Sequence, residues 1–296
     1  MIIRDKPGIL QLLFAVRGSV LPHIALELTV VAGLSVLLVV VDRHLLALPH
    51  VSAQPFALFG VALSLFLGFR NNAAYDRWWE ARKLWGGLLA DARSLAREAE
   101  VFLPEAADRH GLLRGMVAFL HLHRCQLRGL APDEVTRARV AAAGLEVPGV
   151  EAALTQISGR VAAAYRAGRL DGFGARTIST RLTGIGLAQA GCERIRATPL
   201  PYVYSLLVFR TTWLYVLLLP LALLENSGWM TPVFTVIVAY TFFGLAEVTE
   251  ELAHPFGATA NALPLDAICR AVEISLAPHL GEEAPPPLLP VNFRLD

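Results

Sequence analysis

Charge is scarce in this 296-residue chain: Asp, Glu, Lys and Arg together make up 17%, and the formal net charge is +1. That balance excludes nucleic acid as a main partner, because a binder needs a basic stripe to displace counterions from phosphates, and no such stripe is present. Cysteines are equally few. Cys125, Cys192 and Cys269 are odd in number and form no disulfide framework. The sequence also has no Gly-rich phosphate loop, no nucleophile elbow and no His/Cys cluster at zinc spacing. It has no alternating strand pattern of useful length and no internal repeat. We therefore read the chain as all-α and non-enzymatic, with no cofactor and no metal site. Glu247, Glu250, Glu251 and His254 come nearest to a metal-binding set, at three- and four-residue steps, but Pro255 follows at once. They read as an acidic helix end at a membrane surface.

What the chain has instead is apolar sequence: 55% hydrophobic residues and a mean hydropathy of +0.51, well above soluble domains. Four stretches approach the ~17 to 25 apolar residues that a spanning helix needs: Pro22 to Val41, Val51 to Phe69, Ser205 to Leu224 and Trp229 to Ala246. The first is too long for a signal peptide, despite the small residues Val51, Ser52 and Ala53 after it. Lys and Arg favour the cytoplasmic side. With Arg4, Lys6 and Arg17 inside, every basic residue except Arg43 falls inside or at an inner helix end. This bias predicts four spans with both termini cytoplasmic, which places the three cysteines on the reducing side. Two charges sit within spans, where each is costly. Glu27 is expected to face a bundle interior, and Arg210 to snorkel or to pair with Glu247.

The predicted organisation is residues 1–70 (N-terminal segment and the first two spans), 71–204 (a helical cytoplasmic domain), 205–250 (the last two spans) and 251–296 (a C-terminal helix and Pro-rich tail). Within the domain, Leu88, Ala92, Leu95, Ala99 and Phe102 recur at helical spacing, as do Leu112 to Leu127 and Leu154, Ile157, Val161 and Tyr165. Pro132, Asp133 and Glu134 read as a helix start. GRLDGFG reads as a loop, with a last helix from about Arg176 to Arg196. His121 and His123, two apart, point different ways and are expected to be solvated or satisfied in the core. The tail GEEAPPPLLPVNFRLD is expected to be extended, and its Leu288, Leu289, Val291 and Phe293 suggest that it docks.

The most informative stretch is Pro55 to Gly86, where an apolar segment turns polar at Arg70 with no Pro or turn signal to interrupt a helix. Val61, Leu65 and Phe69 fall at four-residue steps and make one stripe ~12 Å long. Gly60, Ala62, Ser64 and Gly68 allow helices to approach closely, and the polar Asn71, Asn72 and Asp76 follow. Periodicity alone leaves two readings open, helix packing and the lining of a dry constriction.

The run PFALFGVALS (Pro55 to Ser64) followed by FLGFRNNAAYDRWWEARKLWG (Phe66 to Gly86) resembles the signature of bacterial bestrophins. GCERIRATPLPYVY (Gly191 to Tyr204) and EELAHPFGATANALPLD (Glu250 to Asp266) match where that family places its further motifs. With the span pattern, the resemblance covers nearly the whole chain. It implies an all-α membrane protein with four transmembrane helices, a helical cytoplasmic domain and a homopentamer around a central pore, the second helix of each subunit lining the axis. By position it implies a hydrophobic neck of Val61, Leu65 and Phe69. It also implies a second, cytoplasmic aperture on the helix preceding the GCER-like segment, with Ile178 as the best match. Animal bestrophins carry an acidic, calcium-binding run after their NPFG motif. Gly257 to Leu265 contains no carboxylate, so no calcium site of that type is expected.

The expected function is passive conduction of monovalent ions through the neck. Animal relatives pass anions and at least some bacterial ones resemble cation channels, and the cytoplasmic region offers Asp91, Glu98 and Glu100 but also many Arg residues. Cations are favoured; the alternatives are an anion (chloride) channel of the same architecture and a membrane scaffold without conductance. The expected partners are the homopentamer, the lipid bilayer and monovalent ions, with no nucleic acid.

Overall fold

A computed structural model of the chain describes residues 1–3, 8–16, 18–49, 51–146 and 149–296. Arg4, Lys6, Arg17 and His50, which bear on the orientation, lie outside the described residues. Those residues form α1 (Ile9–Leu13), α2 (Leu21–His44), α3 (Ala53–Phe102), α4 (Ala106–Arg128), α5 (Glu134–Ala142), α6 (Val150–Arg166), α7 (Gly172–Ala197), α8 (Tyr202–Ser227), α9 (Thr231–Ala253) and α10 (Leu265–Leu280). Isolated bridges at the termini take the place of any strand among the described residues. The chain divides into two compact units, one of Asp5–Trp78 and Pro199–His254, the other of Met1–Arg4, Trp79–Thr198 and Pro255–Asp296. The 50-residue α3 contributes to both.

The first unit is apolar. Among the described residues three helical stretches are long and apolar enough to cross a membrane: Leu21–His44, Ala53–Phe102 and Tyr202–Ala253. The last holds α8 and α9, parted by a single 3-10 turn at Gly228–Met230. The break has a local cause. Gly228 sits at φ 50°, and a Cβ there would lie 2.5 Å from the Arg43 guanidinium. Arg43 in turn lies over the Trp229 ring at 5.8 Å, an attraction between cation and π face. The core gathers Ile24 and Val31 of α2, Leu63 and Leu67 of α3, Tyr215 and Val216 of α8 and Phe242 of α9. At Gly60 α3 lies close against α8, since a Cβ there would stand 2.6 Å from the Tyr215 hydroxyl.

The second unit is built round α4, buried on all sides from Leu112 to Cys125 except at Arg114, as a central helix must be. α5, α6, α7 and α10 pack on it. The polar groups it carries inward are mostly paired. Arg124 bonds Asp133, which caps α5, and Asp266 in the first turn of α10. These partners hold its guanidinium charged against the cost of burial. His121 meets Glu273 at 2.9 Å, and Glu273 also accepts from Arg139 at 2.8 Å. His123 departs from the expectation of a solvated or satisfied imidazole: it is fully buried and neither ring nitrogen has a hydrogen-bond partner. It is stacked instead between Trp85 and Phe119, with centroids at 5.6 and 5.8 Å.

α7 begins at Gly172 rather than near Arg176. Asp171 caps it, accepting from the Gly174 N–H at 2.6 Å, and Gly174 is tolerated because a Cβ there would press on Phe102 and Leu170 at 2.7 Å. The tail runs without regular structure from Glu282 to Pro290 and docks through its backbone. Ile3 N–H donates to Phe293 O at 2.8 Å, Leu295 N–H to Met1 O at 2.9 Å, and Ala267 N–H at the start of α10 to Asp296 O at 2.8 Å. Leu288, Leu289, Val291 and Phe293 stay exposed on this chain.

Candidate functional site

α3 shows two opposed faces. Its inward face is a stripe at three-, four- and seven-residue steps: Gly60, Leu63, Leu67, Ala74, Ala81, Trp85, Leu88, Ala92, Leu95 and Ala99, all buried. Val61, Leu65 and Phe69 each lie two residues from a buried position, roughly 160° away round a helix that turns 100° per residue. They are 69%, 59% and 62% exposed. The chain therefore packs α3 through one face and leaves this apolar stripe uncovered on the other.

Below Phe69 the two faces continue with different chemistry. Arg70 turns inward, its side chain 9% exposed and its Nη2 at 2.9 Å from both Glu250 of α9 and Ser205 of α8. Asn71 turns inward too, accepting from the Thr249 hydroxyl at 3.4 Å, and Arg77 Nε donates to the Ala253 carbonyl at 2.7 Å. Asn72 and Asp76 stay exposed, on the side of Val61, Leu65 and Phe69. Of the three polar residues that follow Phe69, Asn72 and Asp76 thus share the exposed side of α3 and Asn71 does not.

The acidic end of α9 is dispersed among partners. Glu247 faces His23 at 3.2 Å, Glu251 lies 3.9 Å from the same imidazole, and His254 hydrogen-bonds the Glu250 carbonyl at 3.1 Å. Among the described residues no group of three or more His, Cys, Asp or Glu converges as metal ligands do. Arg210 is exposed, and the partner found for Glu247 is His23, not Arg210. Glu27 does face inward, with Oε2 buried and unpartnered.

Ile178, expected at the second aperture, is fully buried in its own chain at 0% exposure. It belongs to the core stripe of α7 with Leu182, Ile185, Gln189 and Cys192 and presents no surface on this chain. The spacing of those residues carried the warning. Phe173, five residues earlier in the first turn of α7, is 82% exposed.

The acids weighed for a cation preference each have a partner within the chain. Arg181 bonds Asp91 at 2.9 Å and Glu98 at 2.6 Å, and those two carboxylates hold the guanidinium charged. Glu100 pairs with His279 at 2.6 Å. One guanidinium thus offsets one of the two carboxylates it bonds, and His279 offsets Glu100 only when its imidazole is protonated.

A family model described as Bacterial/Fungal Bestrophin protein matches residues 1–278. The chain belongs to the bestrophin family. This bestrophin is 46% identical over 297 residues to a voltage-dependent anion channel-forming protein of Mesorhizobium japonicum, covering 99% of this chain and 96% of the relative. It is 38% identical over 303 residues to a protein of that same description from Escherichia coli, covering 98% of each. Among solved structures it superposes on a bacterial bestrophin homologue from Klebsiella pneumoniae with a TM-score of 0.81 at 32% identity, over 88% of this chain and 99% of that one. The bestrophin is accordingly a helical membrane protein of that fold.

Proposed function

We propose that this bestrophin forms a homopentameric channel for monovalent ions in the bacterial plasma membrane. Both termini are cytoplasmic, and the four spans are α2, the apolar part of α3, α8 and α9. Val61, Leu65 and Phe69 of five α3 helices form the neck, where an ion sheds part of its hydration and where widening or wetting opens the path. The observation that carries this reading is the apolar stripe left uncovered on the face of α3 opposite its packed one. Phe173 replaces Ile178 as the second constriction, because it is the exposed apolar residue at the end of α7 farther along the chain from α8. The permeant ions are anions. This reverses the preference expected from Asp91, Glu98 and Glu100, which are paired, and it agrees with the names of the relatives.

The test is reconstitution in planar bilayers under a potassium chloride gradient. Replacing Leu65 and Phe69 with Ala removes the bulk of the neck and raises single-channel conductance. A reversal potential near the chloride equilibrium value supports the anion reading, and one near the potassium value overturns it. Unchanged current in the double variant sinks the neck assignment, and absence of any current sinks the channel.

A further inference from the structure

A cavity of about 420 Å³ opens in the apolar unit among α2, α3, α8 and α9, within the size range of small-molecule sites. Its charged lining is unbalanced: Glu27, Glu247 and Glu250 against Arg70, with His23 beside Glu247. Phe209, Trp213 and Phe243 supply aromatic wall, with Trp213 and Phe243 in ring contact at 5.0 Å.

Two acceptors in this wall are unmet. Thr212 is 1% exposed, and its Oγ1 has no hydrogen-bond partner. Glu27 Oε2 is buried and likewise unpartnered. A buried polar atom left unpaired is costly, more so for a carboxylate within a membrane-spanning helix. The other two carboxylates are engaged, Glu250 by Arg70 and Glu247 by His23, so the vacant acceptor capacity points to a donor from outside the chain.

We propose that this cavity binds a protonated primary or secondary amine bearing an apolar or aromatic group, with its N–H donors on Glu27 and Thr212 and its apolar part against Trp213 and Phe243. The excess of carboxylates selects a cation, and the aromatic faces favour the ammonium. Two unmet acceptors demand N–H groups, which a quaternary ammonium lacks. Arg70 Nε, buried and unpartnered in the same wall, adds a donor that suits an anionic oxygen elsewhere on the ligand. Both the amino headgroup of a membrane lipid and a free amphiphilic amine have this chemistry. The site is separate from the neck: Arg70 lies roughly 140° round α3 from Leu65, and its test does not use conductance.

The experiment uses the full chain in lipid nanodiscs. Hexylammonium and N,N,N-trimethylhexylammonium are titrated by isothermal calorimetry into phosphatidylcholine discs, with empty discs subtracted for partitioning. The expected result is saturable binding of hexylammonium, weakened about tenfold or more in Glu27→Gln and several-fold in Thr212→Val, with the quaternary analogue at least about tenfold weaker. The comparison of the two amines on the unmodified protein stands even if a variant fails to fold. Discs containing phosphatidylethanolamine separate the two sources. A lipid ligand competes with hexylammonium there and is retained by the wild type, but not by Glu27→Gln, in native mass spectrometry; a free-amine ligand leaves hexylammonium affinity the same in both discs. Equal affinity for the two amines, equal affinity in the wild type and Glu27→Gln, or neither hexylammonium binding nor lipid retention overturns the proposal.

Discussion

His123 gives the second unit a defined sensitivity to acid. Burial between Trp85 and Phe119 pushes its pKa down from 6.5 to about 4, so the folded imidazole is neutral throughout the physiological range. In the unfolded chain the ring takes up a proton below about pH 6.5. The stability that a neutral His123 contributes is thus fully present above that pH and is lost as pH falls towards about 4, where the folded form also protonates. At 1.36 kcal/mol per pH unit the interval is worth about 3 kcal/mol, of which about 2 kcal/mol is already gone at pH 5. Carboxylates titrate mainly below this window, so the loss between pH 7 and pH 5 isolates the histidine from them. Replacing His123 with Leu removes the titration and orphans no hydrogen-bond partner, because neither ring nitrogen has one. The assay is hydrogen exchange of residues 112–127, read as an opening free energy after correction for intrinsic exchange at each pH. The wild type is expected to lose about 2 kcal/mol between pH 7 and pH 5 and His123→Leu to lose much less. An equal slope in the two proteins, or none in the wild type, refutes the reasoning.

Gly60→Val forces a side chain onto the Tyr215 hydroxyl and costs about 1–3 kcal/mol by overpacking, seen as a lowered thermal midpoint. Gly68→Ala, with nothing within 4 Å of the added Cβ, leaves that midpoint in place. Ile178→Ala opens a hole in the second unit and costs about 2–5 kcal/mol. Phe173→Ala leaves stability within about 0.5 kcal/mol while altering single-channel current; the opposite pattern restores Ile178 to the aperture. Deleting residues 282–296 removes the backbone bonds that tie the tail to Met1 and Ile3 and lowers the thermal midpoint, and an unchanged midpoint means that the docked tail contributes nothing to stability.

Much of the helical architecture was legible because helices announce themselves locally. α3 runs unbroken from Ala53 to Phe102, as the absence of Pro and turn residues beyond Pro55 implied, and α4 to α6 sit close to their apolar periodicities. The start of α7 was hidden for a physical reason. Gly172 and Gly174 read as loop residues, yet the Asp171 cap and the close contact of Gly174 with Phe102 make glycine the residue that fits a first helical turn there. The tail's backbone pairing with the N-terminus was invisible as well, since it joins residues nearly three hundred positions apart through main-chain atoms that carry no side-chain signature. At the site, the stripe of Val61, Leu65 and Phe69 was readable as a stripe. Its exposure was not, because periodicity groups residues on a face without saying what the face meets.

That limit bears on both Ile178 and the acids weighed for a cation preference. Apolar residues on α7 and carboxylates on α3 were equally visible in the sequence, but burial and pairing decide what each does. Ile178 is spent on the core, and Asp91 and Glu98 are spent on Arg181. What remains on the uncovered face of α3 is the apolar stripe followed by Asn72 and Asp76, and a carboxylate at the mouth of a path works against anion entry rather than for it. If the stripe is the proposed neck, the proposed anion passage has to draw on basic groups outside that face. The reversal potential measures the balance between those groups and Asp76 directly, because the neck itself carries no charge of either sign.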